Sequence, residues 1–177
     1  GESNPQQIQQ LPIHPEKLTV WCGLWSGGII DPFFFKNDAG ATVTVNGIHY
    51  RAMINDDIDA DDIWFQQDGA TCHTANATIN LLKKKFGKSI ILRKGPVNWP
   101  PRSCDLTPLD FFLSGYVKSL CYANKPQTIN ALQDNIERVI AEIQPDLCER
   151  VIENWVQTIH AMKRSRGVHL NDVIFHT

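Results

Sequence analysis

The sequence predicts an α/β domain built on a mixed sheet with helices on both faces. Three observations carry that expectation. A strand–turn–strand pattern occupies residues 18–35. Two short apolar runs, at residues 63–67 and 90–92, bracket a helical period. Amphipathic stretches then fill residues 109–162. A chain of 177 residues, 42% apolar and 20% charged, is long enough to bury one real core.

Taken in order, residues 1–17 are polar and broken by Pro5, Pro12 and Pro15, which predicts an extended lead-in to a core at residues 18–177. Residues 18–25 read as a strand, Ser26-Gly27-Gly28 as a turn and residues 29–35 as the hairpin partner. A short helix at 46–54 places Ile48, Met53 and Ile54 as its apolar side. Residues 55–62 form an acidic loop, and the strand 63–67 leads to Asp68. The helix 73–86 carries Ile79, Leu82 and Phe86 on one face. A strand at 90–92 and a long loop at 93–108 precede an aromatic helix at 109–122. Thr128, after Pro126, is placed to cap a helix reaching residue 143, and Pro145 opens another reaching 162. The mildly apolar tail, 168–175, is expected to pack back, and Trp21, Trp25, Trp64 and Trp99 to be mainly core.

Composition excludes several classes. No apolar run approaches the ~20 residues of a membrane span, and the Gln- and Pro-rich N-terminus has no signal-peptide pattern. The five cysteines are scattered without a CxxC pair, against a zinc ribbon or disulfide framework and in favour of a reduced, intracellular setting. A net charge of −2 is not that of a dedicated nucleic-acid-binding domain, so any hold on DNA is expected to be local or supplied by another part. Asp57 to Asp61 imitates a calcium loop, but Asp62 stands where Gly is needed and Asp68 where Glu is needed. Calcium binding is rejected.

Two segments carry the chemistry. In Trp64-Phe65-Gln66-Gln67-Asp68-Gly69-Ala70-Thr71-Cys72-His73-Thr74-Ala75, Asp68 falls at the C-terminal tip of a strand, where open α/β sheets keep their sites. In Trp99-Pro100-Pro101-Arg102-Ser103-Cys104-Asp105-Leu106-Thr107-Pro108-Leu109-Asp110-Phe111-Phe112, a proline-stiffened loop puts Asp110 in the first turn of a helix. Two carboxylates on different elements, with no basic neighbour in sequence, suggest a divalent-metal site. The plainer alternatives are a turn residue for Asp68 and a dipole-stabilised helix start for Asp110. His73 reads either as a local hydrogen-bonder or as a group that positions DNA or a carboxylate. Asn98, Arg102, Lys83, Lys84 and Lys85 are candidate DNA contacts, with solvated surface as the alternative; the basic cluster Lys163, Arg164 and Arg166 is read the same way.

The two segments resemble the catalytic core of mariner-type DDE transposases, across nearly the whole chain from about Leu18. The resemblance implies an RNase H-like fold with extra C-terminal helices. It also implies metal-dependent DNA cleavage and strand transfer with two Mg²⁺ or Mn²⁺ ions, DNA as partner, a homodimer in the complete protein, and a nuclear location. Carried onto this sequence, Asp68 and Asp110 are the catalytic metal ligands, and Asp105 only marks the motif. The 41 residues between the two are more than in the best-known branch, so the loop around residues 94–101 is expected to absorb an insertion. The family's first carboxylate belongs on a strand ahead of the hairpin. Before Leu18 stand only Glu2 and Glu16, outside any strand pattern, so the first strand is expected to be missing, as is the upstream helix-turn-helix. Weak metal binding and little or no catalysis by this chain alone follow. The rivals are a catalytically dead, host-adopted or relic binding protein, and a different RNase H-like metal nuclease.

Overall fold

The computed structural model describes residues 16–58, 63–99 and 104–164. Most of the expected lead-in, residues 59–62 of the acidic loop, Arg102 and the tail at 168–175 lie outside these residues, as does Arg166. The hairpin is β1 (Val20–Trp25) paired antiparallel with β2 (Gly28–Phe34), so Gly28 belongs to the strand and not the turn. Helix α1 (Gly47–Asp57) follows, running three residues further than expected; the side chain of Asn46 caps its start, accepting from Ile48 N and His49 N at 2.9 Å. Strand β3 is only Phe65–Gln66.

The expected helix at 73–86 is two: α2 (Thr71–Thr74) and α3 (Asn76–Phe86), separated by Ala75 in an extended conformation. The Thr78 hydroxyl donates to the Cys72 carbonyl at 2.8 Å and secures the break. Strand β4 (Ile90–Leu92) pairs parallel with β3 and with β5 (Val97–Asn98), which the sequence leaves inside a loop. After a 3-10 turn at Cys104–Leu106, a π turn (Leu109–Leu113) runs into α4 (Ser114–Cys121). Helix α5 (Ile129–Ala141) is capped by Thr128, whose hydroxyl accepts from Ala131 N at 3.1 Å. Helix α6 (Pro145–Arg164) closes the described chain.

The strands thus form an antiparallel ladder and a separate three-stranded parallel one. Strand alternation dresses both faces of the hairpin. Trp21 and Phe33 pack into a core with Tyr50, Met53 and Ile54 of α1, Ile79, Leu82 and Phe86 of α3, and Phe65, Ile90 and Leu92. Val20 and Phe34 instead meet Cys121, Leu132, Ile136 and Ile140, while Cys22 and Leu24 meet Leu113, Ile143 and Cys148. Helices therefore cover both faces, as expected. The apolar side of α1 is set by Tyr50 in place of Ile48, which is 70% exposed. Trp25 and Trp64 are also exposed, against the expectation of core tryptophans, whereas Trp99 is buried: Trp25 is the last residue of β1, opposite Gly28, and Trp64 lies just ahead of β3.

Parallel neighbours normally need a crossover of a dozen or more residues. Between β4 and β5 the chain returns in four, because Gly95 N and Trp99 N both donate to Leu92 O (3.0 and 3.2 Å) and Lys94 takes a left-handed φ of 65°. Lys94 N is satisfied by Asn98 Oδ1 at 2.9 Å. At Gly95 a Cβ would stand 2.9 Å from Leu92 Cγ and 3.2 Å from Leu92 O. Gly95→Ala is therefore expected to cost about 1–3 kcal/mol in urea unfolding, through displaced Leu92 packing.

Candidate functional site

Strand β3 ends one residue before Gln67, whose N–H still bonds to Ile91 O at 3.1 Å. Alternation then turns Gln67 inward, 6% exposed, and leaves Asp68 half exposed at the C-terminal edge of the parallel ladder. Asp68 Oδ1 accepts from Ala70 N at 3.0 Å, an Asx turn that leads into α2. The same oxygen stands 2.5 Å from Nδ1 of His73, on α2. That hydrogen bond to His73 holds the Asp68 carboxyl below its usual range, helped by the Ala70 N–H and opposed by partial burial.

Asp110 arrives by a different route. Asp110 N and Phe111 N donate to Thr107 O at 2.8 and 3.1 Å, winding the chain into the π turn directly after Pro108. The 3-10 turn before it is tied to α6, where Trp155 Nε1 donates to Leu106 O at 2.6 Å. Partial desolvation raises the Asp110 carboxyl, and the charge of Asp68 raises it further, while Lys118 pulls the other way. The two carboxylates thus share one electrostatic field, although 41 residues separate them in sequence. Among the described residues, no three of His, Cys, Asp or Glu converge as a metal-binding group.

The remaining candidates scatter. His73 is brought to Asp68 itself. Lys83 and Lys84 are exposed on α3. Lys85 turns back to the C-terminal end of α1, its ammonium donating to the carbonyls of Ile54 and, at 3.0 Å, Asn55. It thereby acts as a helix-end cation. Asn98 is exposed, with its carbonyl engaged by Lys94 N. Arg102 lies outside the described residues. Two polar groups next to the site escaped the sequence reading: Tyr50, 1% exposed, whose hydroxyl donates to Gln67 Oε1 at 2.7 Å, and Gln67 itself. Gln67, a polar residue one place before the strand tip, was the one available signal.

The architecture is that of the RNase H-like fold, with Asp68 at the C-terminal edge of the parallel ladder. Within that class, the chain is similar to solved structures of the Mos1 mariner transposase. Its catalytic domain, described with raltegravir and Mg, matches with a TM-score of 0.67 at 19% identity, over 87% of this chain and 76% of that one. The Mos1 strand transfer complex matches with a TM-score of 0.65 at 18% identity, and its paired-end complex with the left transposon end with 0.64 at 19%. Each of these two covers 97% of this chain, which spans about half of theirs (50% and 51%). No protein-family profile and no curated protein sequence matches the chain.

The opposite shifts of the two carboxyls generate a stability test. Asp110 has a folded-state pKa above its ordinary 3.8, so ionising it costs stability at neutral pH; Asp68 is shifted the other way and contributes stability there. Asp110→Asn is expected to melt above wild type at pH 7 in the absence of divalent ions. The gain should shrink as pH falls through the raised Asp110 pKa and vanish below its ordinary value. Scanning calorimetry across that range checks both sign and window.

Proposed function

We propose that residues 18–177 are the catalytic core of a mariner-type DNA transposase, with Asp68 and Asp110 as catalytic metal ligands. The observation that carries the reading is that Asp68 stands just past the C-terminal end of β3 and its charge reaches Asp110 on a separate element. The likeness of the fold to Mos1 structures supports it, several of those structures being complexes with transposon DNA or with Mg or Mn.

The donor set fits a hard divalent cation. Asp68 and Asp110 offer only oxygen, and among the described residues no hydrogen bond reaches Asp68 Oδ2. Repulsion between two unneutralised carboxylates is the condition that a cation relieves. Asp68 and Asp110 would hold Mg²⁺ or Mn²⁺, which when bound supplies charge stabilisation at the attacked phosphodiester. His73 keeps Asp68 ionised and oriented, and the Thr107–Asp110 turn keeps the second carboxylate on a rigid helix start. So sparse a donor set would leave further positions to phosphate and water. The substrate is duplex DNA at the ends of an element, cut and joined to a target. Exposed Lys83 and Lys84, with Asn98 and Arg102, are assigned to its backbone. A second copy of the chain pairs the two ends, and the setting for this work is the nucleus. No helix among the described residues is long and apolar enough to cross a membrane.

A second reading, a transposase-derived protein that binds without cutting, is favoured by the count of converging carboxylates, which stands at two among the described residues. Calorimetric titration with Mn²⁺ tests the metal assignment. Wild type is expected to bind weakly, and Asp68→Asn and Asp110→Asn to lose that binding while keeping the wild-type circular dichroism spectrum. An unchanged titration of Asp68→Asn overturns the assignment. Incubating the chain with Mn²⁺ and labelled duplex DNA or RNA–DNA hybrid separates the nuclease readings: nicking of duplex supports the transposase, and preference for hybrid a different nuclease.

A further inference from the structure

We infer that Tyr50, buried beneath the site and remote from it in sequence, is a positioning residue for Asp68 that acts through Gln67 and His73. The inference deepens the metal-ligand reading of Asp68 and rests on it.

Three contacts form a continuous path. The Tyr50 hydroxyl donates to Gln67 Oε1 at 2.7 Å, Gln67 Nε2 donates to the His73 carbonyl at 2.9 Å, and His73 Nδ1 meets Asp68 Oδ1 at 2.5 Å. A fourth contact closes the circuit, since the Tyr50 ring lies 4.3 Å from the imidazole, tilted by 36°. Tyr50 therefore constrains His73 twice, at its backbone through Gln67 and at its ring by direct packing. A side chain held at both ends has little freedom about χ1 and χ2, so Nδ1 stays aimed at the carboxylate.

Donor and acceptor roles leave one arrangement of this path. Reversing the Gln67 amide would set its oxygen against the His73 carbonyl, two acceptors face to face, so Nε2 must point to His73. An ionised carboxylate only accepts, so Nδ1 must carry the proton. With Oδ1 shared between His73 and Ala70 N, the plane of the Asp68 carboxylate is set and Oδ2 is left to face a ligand. Strand alternation makes this possible: Gln67 faces the core and Asp68 the surface, so adjacent residues serve as tether and ligand. A satisfied buried network of this kind rigidifies its surroundings, and outer-shell partners of metal ligands change affinity by 10–100-fold.

The test compares Tyr50→Phe and Gln67→Leu with wild type on the full chain. The first keeps the ring on His73 and removes the hydroxyl; the second removes the tether without touching the ring, and serves if the first does not fold. Ring ¹⁵N spectra of the metal-free protein should show His73 as the Nδ1–H form in wild type and an averaged form in both variants. Mn²⁺ affinity should fall about tenfold in both. His73→Asn, whose amide N–H occupies the place of Nδ1, should retain more affinity than His73→Gln, whose N–H occupies that of Nε2. Folded variants with unchanged His73 spectra and Mn²⁺ affinity overturn the role of Tyr50 while Asp68→Asn still loses the metal. An Asp68→Asn titration identical to wild type overturns the metal reading, and this inference with it.

Discussion

Desolvation, and after it the charge of Asp68, raises the Asp110 carboxyl, and the fold must hold both acids in place against that cost. Among the described residues, neither carboxylate is paired with a lysine or arginine that would neutralise it; the ion pairs there are His73–Asp68 and the surface pair Arg138–Glu142. Each acid is therefore held by its backbone setting and by hydrogen bonds. Asp68 is fixed by an Asx turn and an imidazole, Asp110 by a π turn at a proline-led helix start. Deviations of this kind in a helix recur at functional sites, and the elevated Asp110 carboxyl is the energetic mark of it.

The hairpin supports that arrangement by packing into three clusters, two of which lie behind the carboxylates. Trp21 and Phe33 belong to the core under β3 and β4, which launches Asp68, whereas Cys22, Leu24 and Ile29 belong to the core with Leu113 and Leu109, which carries Asp110. Two separately packed bodies of side chains thus meet through one pair of strands. Burial is what pushes the Cys22 thiol up to about 11, and its place in β1 is that of a small apolar residue.

Much of this was legible in the chain itself. The apolar run before Asp68, the turn residue Gly69 and the proline-led loop before Asp110 announced both carboxylates and their elements. So did Ile79, Leu82 and Phe86 for the buried face of α3. What escaped depends on contacts distant in sequence. Lys85 looks like part of a solvated basic run, and only the approach of α1 turns it into a cap. The break at Ala75 depends on Thr78 reaching back to Cys72. β5 has two residues and no periodicity to read. Tyr50 looks like one more apolar residue of an amphipathic helix, because its hydroxyl acquires meaning only when Gln67 arrives from another element.

The short return between β4 and β5 has a consequence for how such chains can diverge. Trp99 is buried and bonded to Leu92 on one side, and Leu106 is buried and held by Trp155 on the other. Both ends of the intervening segment are thus moored to the body independently. Lengthening that segment costs little, since loop-closure entropy rises only ~0.6 kcal/mol for each doubling of length. The number of residues between Asp68 and Asp110 is then not a ruler for the distance between them. Residues added there leave both moorings, and the elements that carry the two carboxylates, in place.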